Sequence, residues 1–267
     1  MEQLSDNAAS NSSSIIERVI RTYLSLTSAK EPVGITDIAS ELQLGKTTVH
    51  RILQYLVQYE LAEKNPHTRK YQAGPRAYSI ALDQQANDSL HTLARPYMDY
   101  LFELTGETIT LCKRFGFHNV YIGQIESSKE IHISVPLGED VPLTVGSNGL
   151  CQLAFLDEQS VDLVLSLPRH KVTEDTVTDE QAIRQRLSQI RQNGYSFTSG
   201  ERVASCAGVA VPILVGNPAR PIGAIGVAFL DSRFPELDEK CLINEIKMVA
   251  RLIERQLTQV NSLRQAV

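Results

Sequence analysis

Cysteine and long apolar runs are scarce in this chain of 267 residues. Its four cysteines are far apart and form no CxxC pair, so the sequence indicates neither a zinc site nor a disulfide framework. No apolar run approaches the roughly 18 residues that cross a bilayer. The opening MEQLSDNAASNSSS lacks the basic start and apolar core of a secretory signal. These absences favour the reducing cytoplasm, and we expect no metal and no cofactor.

Motifs that would fix an enzyme site are also absent. Neither GxxxxGK[ST] nor GxGxxG occurs, and GAIGVA is better interpreted as a strand whose glycines allow close packing. A thiol nucleophile with a histidine base would have to come from Cys206, His118, His132 and His170. No motif brings these residues together, and we interpret Cys206 as a small buried apolar side chain. The sequence therefore predicts no catalytic residue, although a metabolite-processing enzyme stays an alternative.

The distribution of charge divides the chain into two parts. The apolar fraction of 42% and the charged fraction of 21% are those of a globular protein, and the length allows two cores. Residues 12–76 hold nine Lys/Arg against six Asp/Glu, a net charge of +3, whereas residues 77–267 carry −6. A basic head on an acidic body is typical of a DNA-binding domain joined to a second domain.

The basic head has the element order of a winged helix-turn-helix. An apolar stripe follows Ser14, and a break at residues 31–34 precedes a short helix that Thr36 can cap. Leu44 and Gly45 then make the turn into a third helix. The segments LAEKN and KYQAG flank a four-residue turn and predict a β-hairpin, the wing.

The third helix, GKTTVHRILQYL, presents a polar face without a carboxylate. Its apolar residues recur with the period of a half-buried helix, at Val49, Ile52, Leu53 and Leu56. In a helix-turn-helix such a helix packs by its apolar face and offers its N-terminal residues to the major groove. Arg51 and His50 can reach base edges, whereas Lys46, Thr47 and Thr48 suit phosphates. The predicted DNA contacts are Thr36, Lys46, Thr47, Thr48, His50, Arg51, Gln54, Arg69 and Lys70.

A protein-binding domain could carry the same helix. A winged-helix adaptor that binds protein and not DNA would also need an apolar stripe and a polar face. The basic balance and the hairpin favour DNA. The alternative would show no salt-sensitive DNA binding.

Beyond the head, strand-like runs alternate with helical stretches. Residues 76–104 have a helical pattern, and Pro96 predicts either two helices or a break just before it. The strand-like runs are TITLCKRF, NVYIGQIE, IHISVPL, VAVPILV and PIGAIGVAF, and the helical ones are LCQLAFL, SVDLVLSL, EQAIRQRLSQIRQNG and residues 238–260. Helices on one side of a mostly antiparallel sheet predict an α+β sensor domain.

Longer blocks resemble a known family. The run from GITDIASELQLGKTTVHRILQYLVQYELAEKN to RKYQAGPRAYSIA resembles the N-terminal domain of the IclR family of bacterial transcription regulators. ARPYMDYLFELTGETITL, VPLTVGSNGLCQLAFL, NGYSFTSGERVASCAGVAVPI and IGAIGVAFLDSRF resemble, in order, blocks of its effector-binding domain. The resemblance implies a dimeric or tetrameric regulator whose C-terminal GAF-like domain, of mixed α/β fold, binds a small metabolite. The expected domains are a disordered tail (1–11), a winged helix-turn-helix (12–75), a linker helix (76–93) and an effector-binding domain (94–267).

The segment Gly146–Gly149 is the first candidate wall of a metabolite site. It leads into a helix, and bare backbone N–H groups at a helix start attract anions. The resemblance implies main-chain donors to a carboxylate from the same block. The chain departs from the family here, with Asn148 in place of a small residue and Leu150 where lysine is common. A helix cap without a ligand stays the alternative.

The resemblance implies a second wall between Thr198 and Gly208. Thr198 replaces a frequent acidic contact of the family, and Cys206 and Gly208 fall on pocket-lining positions. Gly226 and Ala228 stand where many relatives have small hydroxyl residues. The predicted effector contacts are Ser147, Asn148, Gly149, Thr198, Cys206, Gly208 and Gly226.

Together these patterns predict a cytoplasmic transcription regulator, most simply a repressor of a catabolic operon. We expect it to be a homodimer or tetramer that binds double-stranded promoter DNA at a pseudo-palindromic operator. A small carboxylate-bearing effector is expected to modulate that binding. The sequence does not choose between repression and activation, because that depends on where the operator lies relative to the promoter.

Overall fold

The computed structural model describes residues 14–29, 31–236 and 238–265. The predicted disordered tail at 1–11 lies outside the described residues. The chain divides into two compact units, Met1–Asn87 and Asp88–Val267. None of the helices in the described part of the chain combines the length and the apolar composition that crossing a bilayer requires.

The described residues of the first unit form a winged helix-turn-helix. Its elements are α1 (Ile15–Ser28), α2 (Ile35–Glu41), α3 (Lys46–Gln58), β1 (Ala62–Lys64), β2 (Tyr71–Ala73) and α4 (Pro75–Ala86). The two strands pair antiparallel, with Ala62 opposite Ala73 and Lys64 opposite Tyr71. The predicted stripe of α3 is confirmed: Val49, Ile52, Leu53 and Leu56 are buried in the core of this unit.

Local hydrogen bonds explain where the first helices begin. The N–H of Glu17 donates to Ser14 Oγ at 3.1 Å, which places the start of α1 where the sequence predicts it. The prediction that Thr36 caps α2 is wrong, because Gly34 is the N-cap residue and Thr36 lies inside the helix. The carboxylate of Asp37 accepts from the Gly34 N–H at 3.0 Å and takes over the capping function.

A six-stranded antiparallel sheet organises the second unit. The elements are α5 (Ser89–Thr105), β3 (Thr108–Phe115), β4 (His118–Ile125), β5 (Asp140–Pro142), α6 (Gly146–Leu153), α7 (Glu158–Ser166), α8 (Glu180–Asn193), β6 (Ser196–Ser199), β7 (Cys206–Val215), β8 (Arg220–Leu230), a 3₁₀ turn (Asp231–Glu236) and α9 (Glu239–Gln265). The strand order is β5-β4-β3-β8-β7-β6.

Helices cover both faces of this sheet, not one face as the sequence predicts. Alternate residues of β7 and β8 explain the difference, because strand side chains point to opposite faces in turn. Val209 and Val227 pack with α5 and α9 in one core. Ala210 and Ala224 pack with α6, α7 and α8 in another.

Two further expectations from the sequence are corrected. Residues 131–137, the run IHISVPL, form no strand, because side chains satisfy their backbone: Thr108 Oγ1 donates to Ile133 O at 2.6 Å, and Gln124 Oε1 accepts from Val135 N at 2.8 Å. Pro96 lies inside the continuous helix α5. The break that separates the two helices of residues 76–104 lies earlier, where Asp88 caps α5, so residues 76–93 do not form one helix.

Candidate functional site

The third helix and the wing expose most of the residues predicted to touch DNA. Thr36, Lys46, Thr47, Arg51, Gln54, Arg69 and Lys70 are exposed, and Thr48 and His50 are half-buried. Gly45 caps α3 without a side chain, so the polar residues of the first turn are not used for capping. The exposed side of α3 is therefore a polar, basic surface at the start of a helix.

The cations of this surface form no ion pair with the described residues of the first unit. Among those described residues, Arg76 pairs with Glu60, and the cations of α3 and the wing have no carboxylate partner. The wing turn is held by Asn65 Oδ1, which accepts from the N–H groups of His67 and Thr68 at 2.9 and 3.0 Å. Arg69 follows with φ at +59°. Unpaired surface cations of this kind are the usual partners of a phosphate backbone.

A small cavity in the second unit lies between the start of α6 and strands β6 and β7. Its volume is about 50 Å³, enough for a few water molecules at about 10–15 Å³ each. Five of the seven predicted effector residues line it: Ser147, Asn148, Thr198, Cys206 and Gly208. The two walls that the sequence predicts therefore border the same cavity, although their residues are up to 61 positions apart in the chain.

The α6 wall supplies polar groups from a helix start. Ser147 and Asn148 are each 7% exposed, and no side chain of the described residues caps this helix. Asn148 Nδ2 donates to Thr110 Oγ1 at 3.1 Å. Among the described residues, Asn148 Oδ1 is a buried acceptor without a hydrogen-bond partner, which is unusual in a folded protein. This wall thus offers backbone N–H groups and an unsatisfied acceptor.

Gly149 and Gly226, the other two predicted effector residues, do not line the cavity. They allow the elements around it to pack closely. A Cβ at Gly149 would lie 2.7 Å from Leu143 O, so Gly149 lets α6 approach the preceding backbone. A Cβ at Gly226 would lie 2.9 Å from Asn148 Oδ1, so Gly226 gives the Asn148 amide its space over the sheet. Neither has a side chain to offer, and their contribution to the site is steric.

The opposing wall comes from paired strands and the connection between them. Thr198 of β6 lies opposite Gly208 of β7. Arg202, in the connection, lines the cavity together with Thr110 and Tyr121, and its guanidinium lies 4.9 Å from the centre of the Tyr121 ring. It also pairs with Glu139. Burial raises the pKa of Tyr121, so its phenol stays neutral.

The thiol at the cavity is not activated. Cys206 is partly buried, and burial, followed by the negative charge of Asp231, raises its pKa against the opposite effect of Arg202. A nucleophilic cysteine needs a lowered pKa. The arrangement therefore suits recognition of a small molecule and not covalent chemistry.

Sequence reasoning missed Arg202, Thr110 and Tyr121. The last two lie in strands whose apolar neighbours give no indication of which face borders a cavity. Arg202 lies inside the block NGYSFTSGERVASCAGVAVPI, singled out only for its resemblance, and its partner Glu139 is 63 positions away. An arginine within a block of small residues is the one pattern that could have drawn attention to it.

Two family models match the chain. The helix-turn-helix domain of IclR matches residues 24–66, and the C-terminal domain of the bacterial transcriptional regulator IclR matches residues 84–255. The second match alone covers more than half of the chain. The first match lies within the first compact unit, and the second begins at the end of that unit and covers most of the second.

Individual proteins agree with these matches. SauR of Cupriavidus necator, a probable transcriptional regulator, is 28% identical over 82% of this chain and 87% of its own length. The transcriptional repressor AllR of Escherichia coli is 26% identical over 83% of this chain and 82% of its own. The structure of an IclR homolog from Microbacterium hydrocarbonoxydans complexed with 4-hydroxybenzoate has the same fold, with a TM-score of 0.78, 23% identity and coverage of 91% of this chain and 99% of that one.

These relatives are transcription regulators and not enzymes. A winged helix-turn-helix with a basic surface binds DNA, and the second unit carries the family's effector-binding domain. The chain therefore belongs to the IclR family of bacterial transcription regulators.

Proposed function

We propose that this regulator represses a catabolic operon and that a small organic acid, bound in the cavity of the second unit, modulates its binding to the operator. The observation that carries the proposal is the convergence of Ser147 and Asn148 with Thr198, Cys206 and Gly208 around one cavity. The repressor AllR supports the sign of regulation. The homolog complexed with 4-hydroxybenzoate supports the class of effector.

The chemistry of the cavity favours a short acid with a hydroxyl group. Backbone N–H groups and partial positive charge at the start of α6 favour an anion by roughly 0.3–2 kcal/mol. Asn148 Oδ1 is an acceptor that a ligand hydroxyl can satisfy. Thr198 and Cys206, on the opposite wall, would select the rest of the molecule by hydroxyl pairing and size. The volume of about 50 Å³ favours a small effector.

Each head is proposed to read half of a pseudo-palindromic operator with α3. Arg51 and His50 lie where a helix in the major groove meets base edges. Lys46 lies at the start of α3, where a side chain can contact the phosphate backbone. Arg69 and Lys70 of the wing extend the basic surface. A palindrome requires two heads, so we propose a homodimer or a tetramer.

The first helix supports self-association. Its apolar residues Ile15, Ile16, Val19, Ile20 and Leu24 are 37–68% exposed. An exposed apolar row of this kind usually marks an interface. A second copy of the same helix, with the same row, is the partner that a symmetric dimer supplies.

The DNA part of the proposal is tested on the promoter regions that flank the gene. Fluorescence anisotropy with the full-length protein at low salt should reveal one region bound more tightly than random DNA. Footprinting of that region should show protection of two related half-sites. Failure to bind any promoter DNA at low salt, while the protein is folded, would contradict the proposal and favour the adaptor alternative.

The effector part is tested with a thermal-shift screen of small organic acids, followed by Ser147→Glu. This substitution places a fixed negative charge at the proposed anion site. We expect operator binding to persist and its response to the identified acid to be lost. Ser166→Glu, on the exposed end of α7, adds the same charge outside the cavity and is the matched control. If calorimetry showed Ser147→Glu binding the acid as tightly as the parent, the proposed site would be wrong.

A further inference from the structure

Arg202 is the one charged side chain among the described residues that line the cavity. Its side chain is 18% exposed. A guanidinium in such a place keeps an anionic partner, because an unpaired buried charge is strongly destabilising. That partner here is Glu139, which does not line the cavity and whose side chain is 37% exposed. The two members of the pair thus differ in how firmly the protein encloses them.

The connection that carries Arg202 is firmly anchored. Thr173 Oγ1 donates to Gly200 O and Thr176 Oγ1 to Glu201 O, both at 2.7 Å. The neighbouring Glu201 is 3% exposed at its side chain and pairs with Arg186 at 2.5 Å. Arg202 therefore projects from a fixed backbone, and its alkyl chain lies against Gly146 at the start of α6.

The Glu139 side chain is enclosed less than that of Arg202, with 37% of it exposed. Its backbone is fixed at the sheet edge, where Tyr121 N donates to Glu139 O at 3.2 Å and the adjacent Gly138 N donates to Tyr121 O at 2.8 Å. A carboxylate that leaves Arg202 from this position moves into water at little cost. An arginine that leaves Glu139 stays in the cavity unpaired. Opening the pair therefore costs least when another anion takes the place of Glu139.

The Arg202 guanidinium also has an N–H group that can still donate to an anion. Among the described residues, Arg202 Nε is buried without a hydrogen-bond partner, although Nη2 donates to Glu139. A planar guanidinium binds a carboxylate through two parallel N–H groups, of which Nε is commonly one. The Tyr121 ring, whose centre lies 4.9 Å from the guanidinium carbon, packs against this group.

We propose that Arg202 is the residue that receives the carboxylate of the effector, and that Glu139 is an internal stand-in which the effector displaces. This inference rests on the proposed function for the identity of the ligand class. It adds to that function a charged determinant: acids enter because they can replace Glu139, and the corresponding amides and esters are rejected because they cannot. Displacement also breaks the bond between Arg202 and Glu139, which follows closely on the cavity-lining Ile133 and Val135.

Acetate can test this exchange before the effector is known. Glu139→Ala removes the stand-in and leaves Arg202 unpaired in the cavity. We expect sodium acetate to raise the melting temperature of the full-length Glu139→Ala protein by roughly 3 °C or more at ten times its dissociation constant, relative to sodium chloride at equal ionic strength. Acetamide should give no such shift. In the parent, where Glu139 is in place, the same acetate concentration should give a melting-temperature shift about one tenth as large.

Two further variants make the result specific. The double variant Glu139→Ala/Arg202→Met should lose the acetate response. Glu158→Ala removes a carboxylate from the surface pair with Arg191 and should respond to acetate no more than the parent does. Should Glu139→Ala not fold, Glu139→Gln retains the side-chain size, removes the charge and is expected to show the same preference for acetate over acetamide. No acetate response in either folded variant, or an equal response in the double variant, would overturn the assignment.

The same variants separate this inference from the proposed function. An acetate response that requires Arg202, together with no metabolite effect on operator affinity, would leave the assignment standing and defeat the proposed function. An acidic effector whose affinity is unchanged by Arg202→Met would defeat the assignment and leave the proposed function intact.

Discussion

A Cβ on Gly208 would lie 2.8 Å from Ser147 Oγ, so strand β7 and the start of α6 leave no room for a methyl group between them unless the Ser147 side chain turns. Gly208 and Ser147 are 61 positions apart in the chain. Their contact joins the two walls that the sequence predicts separately. Since the atom facing Gly208 is a hydroxyl at the end of a rotatable side chain, the space between them can be filled without moving the backbone.

The first prediction uses this relationship. Gly208→Ala should place a methyl group in the cavity and turn the Ser147 hydroxyl aside, so the affinity for the acid effector should fall by about tenfold or more, roughly 1.4 kcal/mol. The free energy of unfolding should change by less than about 1 kcal/mol, because Ser147 can rotate away. Calorimetric titration and urea denaturation measure the two effects. Unchanged effector affinity would place the ligand away from Ser147.

Gly226→Ala is predicted to behave in the opposite way. Its Cβ would lie 2.9 Å from Asn148 Oδ1 and also 2.9 Å from Val209 O, a backbone atom of the neighbouring strand. Because that strand has to shift, we expect a loss of about 1–3 kcal/mol in the free energy of unfolding. Urea denaturation with Gly208→Ala as the matched variant measures it. Equal stabilities of the two variants would contradict the steric role of Gly226.

Some of this architecture is predictable from the sequence, and some of it is not. The α3 stripe follows from its period, because Val49, Ile52 and Leu53 fall on one helical face whatever the rest of the chain does. Residues 131–137 alternate like a strand, yet Thr108 and Gln124 side chains take the bonds that a partner strand would make. Such long-range side-chain bonds leave no local pattern.

The cavity shows the same division. Ser147 and Asn148 could be proposed because a glycine-flanked helix start has its own sequence pattern. The position of Arg202 beside Tyr121 depends on a connection between two strands and on a partner 63 residues away. Neither periodicity nor spacing records that proximity.

A third prediction concerns base recognition. Arg51→Ala should cost about 1–3 kcal/mol of operator affinity and relax base preference at one position of each half-site. Arg51→Lys keeps the charge but loses the planar guanidinium. It should therefore bind random DNA about as tightly as the parent does, but its base preference should stay as weak as that of Arg51→Ala. Competition against single-base operator variants measures both. An unchanged preference in Arg51→Ala would show that Arg51 does not read a base.

A fourth prediction separates phosphate contacts from base contacts. Lys46→Ala and Lys70→Ala should weaken binding to all sequences alike, and each should flatten the slope of log K against log salt by about 0.9. Lys240→Ala removes the same charge from the exposed face of α9 and serves as the control. Anisotropy titrations over a range of salt give the slopes. Slopes equal to the parent's would remove these lysines from the DNA interface.

The last prediction concerns Cys206, the thiol at the cavity. Burial and the charge of Asp231 raise its pKa, so the thiolate fraction at any given pH is smaller than that of a free cysteine. In a Cys241→Ser background, which removes the exposed thiol, alkylation by iodoacetamide at pH 7 should be slower than that of free cysteine. Because the pKa is raised, the rate should go on rising above pH 9, where the free thiol is already largely ionised.

Cys206→Ser in the parent background completes that experiment. It replaces one small polar side chain by another, so operator affinity should stay within error, and any change should be confined to effector affinity. Because burial raises the pKa of the Cys206 thiol, we expect it to play no nucleophilic role, and a bound acid should be recovered unaltered from both proteins. If the parent converted the bound acid to a product and Cys206→Ser did not, Cys206 would be catalytic, and recognition alone would not describe what this cavity does.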